Sequence, residues 1–117
     1  VKGTRGATLV KLVSRKKVGW LWTWSGISFG YRVDDQLRTH DGRHVGNFVG
    51  EEVYGADGVY LGELASADRL ITRLRKLGRF RLPFRPRMKR MGRTQRMARA
   101  ARLMRPDWKD FPPPENL

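Results

Sequence analysis

Glycine recurs in this chain at a spacing of sixteen, and no other feature restricts its fold as sharply. Gly26, Gly42 and Gly58 form one column, and Gly30, Gly46 and Gly62 form a second column four residues on. Ser25, Asp41 and Asp57 precede the first column, Phe29, Val45 and Leu61 stand three after it, and Leu21, Leu37 and Val53 stand five before it. Ser-Gly and Asp-Gly between runs rich in Val, Tyr, Trp and Phe signal hairpins, because a tight two-residue turn needs positive φ, which glycine adopts without steric cost. Each repeat therefore reads as one β-hairpin. The second glycine falls in the returning strand, where it marks a bulge, a bend or the close approach of another backbone. Hairpins that all bend at one place curl into a closed or radial array, and a sixteen-residue unit buries a face only by stacking on its neighbours. The expected fold class is mainly β. Its core is expected from the Leu21/Leu37/Val53 and Phe29/Val45/Leu61 columns, with Trp20, Trp22, Trp24, Tyr31, Phe48, Tyr54 and Tyr60 covering the rest.

A fourth unit over residues 69–84 is ambiguous. Leu77 and Gly78 keep the repeat columns, but Leu74 replaces the turn glycine. Local preference leans to a helix, with Asp68 as its cap, Leu70, Leu74 and Leu77 on one face and Gly78 just past its end. Hairpin and helix both remain open at this level.

The run over residues 19–64, followed by DRLI and, near the end, by DFPPPE, resembles the small bacterial proteins called 4-fold beta flower proteins. The likeness covers residues 19–71 well and 110–115 weakly. It implies β-hairpin petals about a pseudo-fourfold axis. That family carries no assigned activity, so the resemblance implies a fold and transfers no catalytic residue. Its members begin shortly before the WLWTW run, which makes residues 1–18 a basic extension, and the arginine-dense stretch 85–105 departs from the family pattern.

The charge is distributed unevenly. The chain has 117 residues and a formal charge of +14, room for one small domain and an excess of cations that predicts an acidic partner. Residues 1–18 carry six Lys+Arg and no acid, residues 19–68 carry three Arg against eight acids, and residues 69–105 carry fifteen Lys+Arg and no acid. The sequence thus divides into the extension 1–18, a hairpin domain 19–78, and an Arg-rich tail 79–117 ending in Pro112-Pro113-Pro114, helical or disordered and outside the packed interior. With no cysteine there is no disulfide framework, no thiolate zinc site and no Cys nucleophile. No stretch near the start is apolar enough for a spanning helix or a signal-peptide core, so no membrane insertion is expected and a cytoplasmic location is.

Arg90, Arg93, Arg96, Arg99, Arg102 and Arg105 recur every third residue. On an α-helix these would rotate round the whole cylinder and leave no apolar face. In an extended form with about three residues per turn they would line one edge at intervals of about 9 Å. Planar guanidinium forks suit phosphate. The tail residues Arg85, Arg87, Lys89, Arg90, Arg93, Arg96, Arg99, Arg102 and Arg105 are therefore the candidate contacts to nucleic acid or another polyanion, made through phosphates without base readout. The competing expectation is a solvated basic tail with no dedicated ligand.

No catalytic constellation emerges. His40 and His44 flank Asp41-Gly42, but a two-residue turn there puts their side chains on opposite faces, against a shared metal ion. Ser25, Ser28 and Ser66 lack a nucleophile-elbow context. Glu51 and Glu52 are adjacent and point apart in extended chain, unlike converging acid–base carboxylates. Three tryptophans on one strand face read as core, with one indole left exposed, ahead of a stacking surface. The expected role is a non-enzymatic binding or interaction module without a cofactor. The alternatives are an assembly protein with a solvated tail and a small enzyme with a site among the hairpins.

Overall fold

The computed structural model describes residues 18–117; the basic extension, apart from Val18, lies outside the described residues. The chain forms β1 (Val18–Thr23), β2 (Ser28–Val33), β3 (Gln36–Thr39), β4 (His44–Val49), β5 (Glu52–Tyr54), β6 (Tyr60–Ser66), β7 (Arg69–Arg73) and β8 (Trp108–Asp110). Consecutive strands pair antiparallel throughout, and β1 also pairs in parallel with β7, which closes seven strands into a barrel with β8 on its outside edge. The mainly β, closed arrangement is that expected from the repeat.

The glycines do two different jobs. Opposite Leu21, Leu37 and Val53 stand Gly30, Gly46 and Gly62, and the register slips at each of these pairs. A Cβ on Gly30 would lie 2.1 Å from the Arg38 carbonyl oxygen and one on Gly62 2.2 Å from that of Ile71. These positions are bulged because the next strand's backbone passes where a side chain would stand. The first glycine column closes the hairpin tips. These tips are three-residue loops, 24–26, 40–42 and 56–58, in place of the expected two-residue turns. Thr23 N–H donates to Ile27 O while Gly26 N–H donates to Thr23 O, and the same pair of bonds recurs at Thr39 and Gly55. Glycine at φ +94 in Gly42 supplies the left-handed third position that this loop requires.

Inside the barrel, Leu21, Phe29, Leu37, Phe48, Val53 and Leu70 pack with Phe111, and Val45 and Leu61 lie against them. The Leu21/Leu37/Val53 column is thus core, and of the second column Phe29 is buried while Val45 and Leu61 are half-buried against it. The fourth member of the leucine column is Leu70, seventeen residues after Val53, because the β6–β7 register slips between Leu64 and Ser66. The strict sixteen-residue step therefore misses it.

The helix favoured for residues 69–84 does not form. Its first five residues are β7, which satisfies the open edges of both β6 and β1 and buries Leu70 and Ile71 completely; closing the sheet outweighs local helical preference. Within residues 74–84 a single 3-10 turn, Leu74–Lys76, follows. The fourth hairpin is completed much later, when β8 pairs with β7 through Ile71↔Asp110, Thr72↔Lys109 and Arg73↔Trp108. Phe111 then enters the core edge-on to Phe29, 5.3 Å between centroids. The boundary drawn at residue 78 therefore does not separate barrel from tail. Residues 74–107 are in effect the long tip of the fourth hairpin.

Lys76 anchors the start of that tip. Its Nζ lies 2.6 Å from Glu52 Oε2 and 2.8 Å from Glu63 Oε1, and Arg73 Nε lies 2.8 Å from Glu63 Oε2. The Lys76 hydrogen bond holds Glu52 below the usual carboxylate range. Burial works against the Glu63 charge, but Lys76, Arg73 and Tyr60 together keep its pKa low. Both carboxylates are ionised ties between the barrel wall and the chain leaving it.

Candidate functional site

The arginine-dense segment is neither helix nor detached tail. Over residues 79–105 it forms a strap laid along the hairpin tips, with every third N–H directed inward. Arg81, Arg90 and Arg99 donate to the carbonyls of Gly58, Gly42 and Gly26 at 2.7, 3.0 and 2.8 Å, and Phe84, Arg93 and Arg102 donate to those of Ala56, His40 and Trp24 at 3.0, 2.6 and 3.1 Å. Arg87 N–H donates to His44 Nδ1 (2.9 Å) and Arg96 N–H to Ser28 Oγ (3.2 Å). A period of three is that of an extended, threefold chain. Nine strap residues therefore advance for each sixteen-residue repeat, in the opposite direction. A Cβ on Gly26, Gly42 or Gly58 would stand about 2 Å from the carbonyl oxygen of Arg99, Arg90 or Arg81; the tip glycines are seats for the strap as well as turns.

Buried donors of the barrel meet strap carbonyls in return. Trp22 Nε1 donates to Met97 O (2.8 Å) and Trp24 Nε1 to Leu103 O (2.9 Å). Arg38, which occupies the repeat column of Trp22, donates to Met88 O at 2.9 Å, and Arg69 donates to Ala100 O at 3.0 Å. Burial lowers the pKa of both arginines. Trp22 and Trp24 are buried as expected, but on the outer wall, under the strap, and not in the central cluster.

The nine candidate cations fall into two groups. Arg93, Arg96, Arg99, Arg102 and Arg105 lie over the rings of Tyr31, Trp20, Trp22, Trp24 and Trp108, with guanidinium carbons 5.0, 4.2, 3.6, 5.2 and 4.8 Å from the ring centroids. Arg99 also pairs with Asp68 at 2.6 Å. Arg85, Arg87, Lys89 and Arg90 lack any ring, carboxylate or hydrogen-bonding side-chain partner among the described residues. All nine side chains face solvent. Arg87 and Lys89 border a recess of about 560 Å³ together with Arg43, His44 and Asp57.

His44 couples this recess to the strap. It stacks on Phe84 at 4.9 Å between centroids and, because Nδ1 accepts from Arg87 N–H, the ring proton sits on Nε2, which faces Gly46 O and Asn47 Oδ1. Burial holds its pKa below 6.5, and the charges of Arg38 and Arg87 act in the same direction. His44 is in β4 and His40 in the adjoining tip, and among the described residues no three His, Asp or Glu side chains gather as a metal site.

The strap escapes a reading of the sequence because its docking is made by the backbone. A legible trace exists in the nine-residue recurrence of Arg81, Arg90 and Arg99, of Arg87, Arg96 and Arg105, and of Met88 and Met97, which is commensurate with the hairpin repeat. No family model, curated protein or solved structure matches this chain.

Proposed function

We propose that the protein is a non-enzymatic nucleic-acid-binding module that engages phosphates without reading base edges. What supports this most directly is the strap itself: exposed cations, at a three-residue period from Arg87 to Arg105 with Arg85 and Lys89 beside it, on a chain whose backbone is already pinned to the barrel. A disordered basic tail would lose conformational entropy on binding, whereas this strap is ordered beforehand. Arg85, Arg87, Lys89 and Arg90 are the phosphate ligands, since among the described residues none of the four is held in an ion pair or over a ring. The four-hairpin closure agrees with membership of the 4-fold beta flower proteins, which forms part of the same reading.

The test is a salt titration of binding to random-sequence DNA and RNA. Removing residues 85–117 is not a usable variant, because it also removes β8 and Phe111 from the barrel. Arg85→Gln, Arg87→Gln, Lys89→Gln and Arg90→Gln in combination leave the backbone bonds intact. The duplex salt slope is expected to fall by about 0.9 for each phosphate that is no longer neutralised. An unchanged affinity and slope defeats the reading. A second reading, self-assembly, rests on the exposed apolar side chains Leu82, Met88, Met91, Met97 and Leu103 along the strap, and a mass measurement in solution checks it.

A further inference from the structure

Phosphate binding leaves half of the strap without a role. Arg96 and Arg99 are spread over the indoles of Trp20 and Trp22 at 4.2 and 3.6 Å, and Arg99 is also held by Asp68. The Asp68 carboxylate offsets the Arg99 charge, so this guanidinium is a weak phosphate ligand. Its geometry suits another task. With its carbon 3.6 Å over the indole, the Arg99 guanidinium has the ring on one side and solvent on the other, and its side chain is still 45% exposed. Between these two arginines runs a groove of about 540 Å³, lined by Trp22, Gln95, Arg96, Met97 and Arg99. Met97, 87% exposed, supplies an apolar wall.

Resting on the reading above, we infer that this groove seats unstacked nucleobases, which makes the preferred ligand single-stranded. Bases splayed from a single strand stack on guanidinium planes as they do on aromatic rings, and every base has such a face, so no sequence preference is needed. A duplex keeps its bases stacked inside and presents only phosphates to the strap. The neighbouring Arg85, Arg87, Lys89 and Arg90 hold the backbone of the same strand, and Arg96 and Arg99, pre-set by the indoles, receive its bases.

Replacing both platforms by Arg96→Lys and Arg99→Lys keeps the charge and removes the planes. Binding of a 20-nucleotide poly(dT) strand and of a random 20-base-pair duplex is measured for the intact chain and this variant across a salt series, after its unfolding midpoint has been matched to the parent. For the intact chain the single strand is expected to bind more tightly than the duplex at equal salt. The variant is expected to lose at least about fivefold in affinity for the strand, the lower end of the stacking contribution of one base, with its salt slope and duplex affinity unchanged. Equal loss on strand and duplex would show that these arginines touch phosphate, and no loss on the strand would show that they hold no base; each overturns the inference while the phosphate reading stands. Absence of binding to either ligand by the intact chain overturns both.

Discussion

The two stretches of the strap are both rich in cations and have opposite surroundings. Residues 93–105 run over Tyr31, Trp20, Trp22, Trp24 and Trp108, and each arginine there is seated on a ring. Residues 85–90 run over the second repeat, where the columns of Trp20, Trp22 and Trp24 hold Gln36, Arg38 and His40. With no indole or phenol ring in those columns, none of Arg85, Arg87, Lys89 and Arg90 is seated on a ring among the described residues. Periodicity along the strap sets where each side chain leaves the backbone, but the repeat underneath decides whether its charge is occupied.

The largest disturbance to both stretches is expected from the seats. Gly26→Ala and Gly42→Ala each combine a left-handed backbone with an approach near 2 Å to a strap carbonyl, and a loss of about 2–4 kcal/mol in denaturant unfolding is expected. Gly50→Ala is the control: it shares positive φ but meets nothing within 4 Å, so about 1–2 kcal/mol is expected. A control as damaging as the seats would separate the glycines from strap docking.

Trp22→Phe sharpens the ringed stretch. It retains a ring for Arg99 and removes the indole N–H that reaches Met97 O, so about 0.5–1.5 kcal/mol of stability is expected to go, the net contribution of one hydrogen bond. Faster hydrogen exchange at Arg96 and Arg99 should accompany it, with little change at Arg81.

The ring-free stretch should respond to pH instead. His44 is neutral in the folded chain and its pKa is depressed, so its stabilising contribution is complete above 6.5 and declines as pH falls below that value toward the lower folded pKa. Protonation at Nδ1 would also remove the acceptor of Arg87 N–H. Denaturant midpoints from about pH 7.5 to about 5 should fall, with exchange rising first at Arg87, and His44→Gln should flatten that profile. The smallest effect is expected from Arg85→Gln with Arg90→Gln: within about 0.5 kcal/mol of parental stability, though the duplex salt slope should drop by about 1.8.

Much of the barrel is legible in the sequence because its bends depend on single residues. Gly30, Gly46 and Gly62 sit where a neighbouring backbone or side chain passes, and only glycine fits; the core columns follow from their register. Most of the candidate cations, from Arg87 to Arg105, are legible as a period of three. Their seats are not, because the strap's inward bonds come from N–H groups that every residue here except proline possesses, and side-chain identity does not advertise them. The helix expected for residues 69–84 fails for a related reason: Asp68, Leu70 and Gly78 satisfy a local pattern, but two unpaired strand edges weigh more than that pattern.

The amino-acid sequence by itself determined the hairpins, their bends, the inward columns and the segregation of charge, since each follows from steric needs or alternation within a few residues. Tertiary structure alone decided that β8 returns to complete the fourth hairpin, that the intervening segment lies along the tips, and which guanidiniums rest on rings. Those outcomes depend on groups up to 85 residues apart, as Ser25 and Asp110 are, and on a match between steps of nine and sixteen that exists only once the barrel has closed.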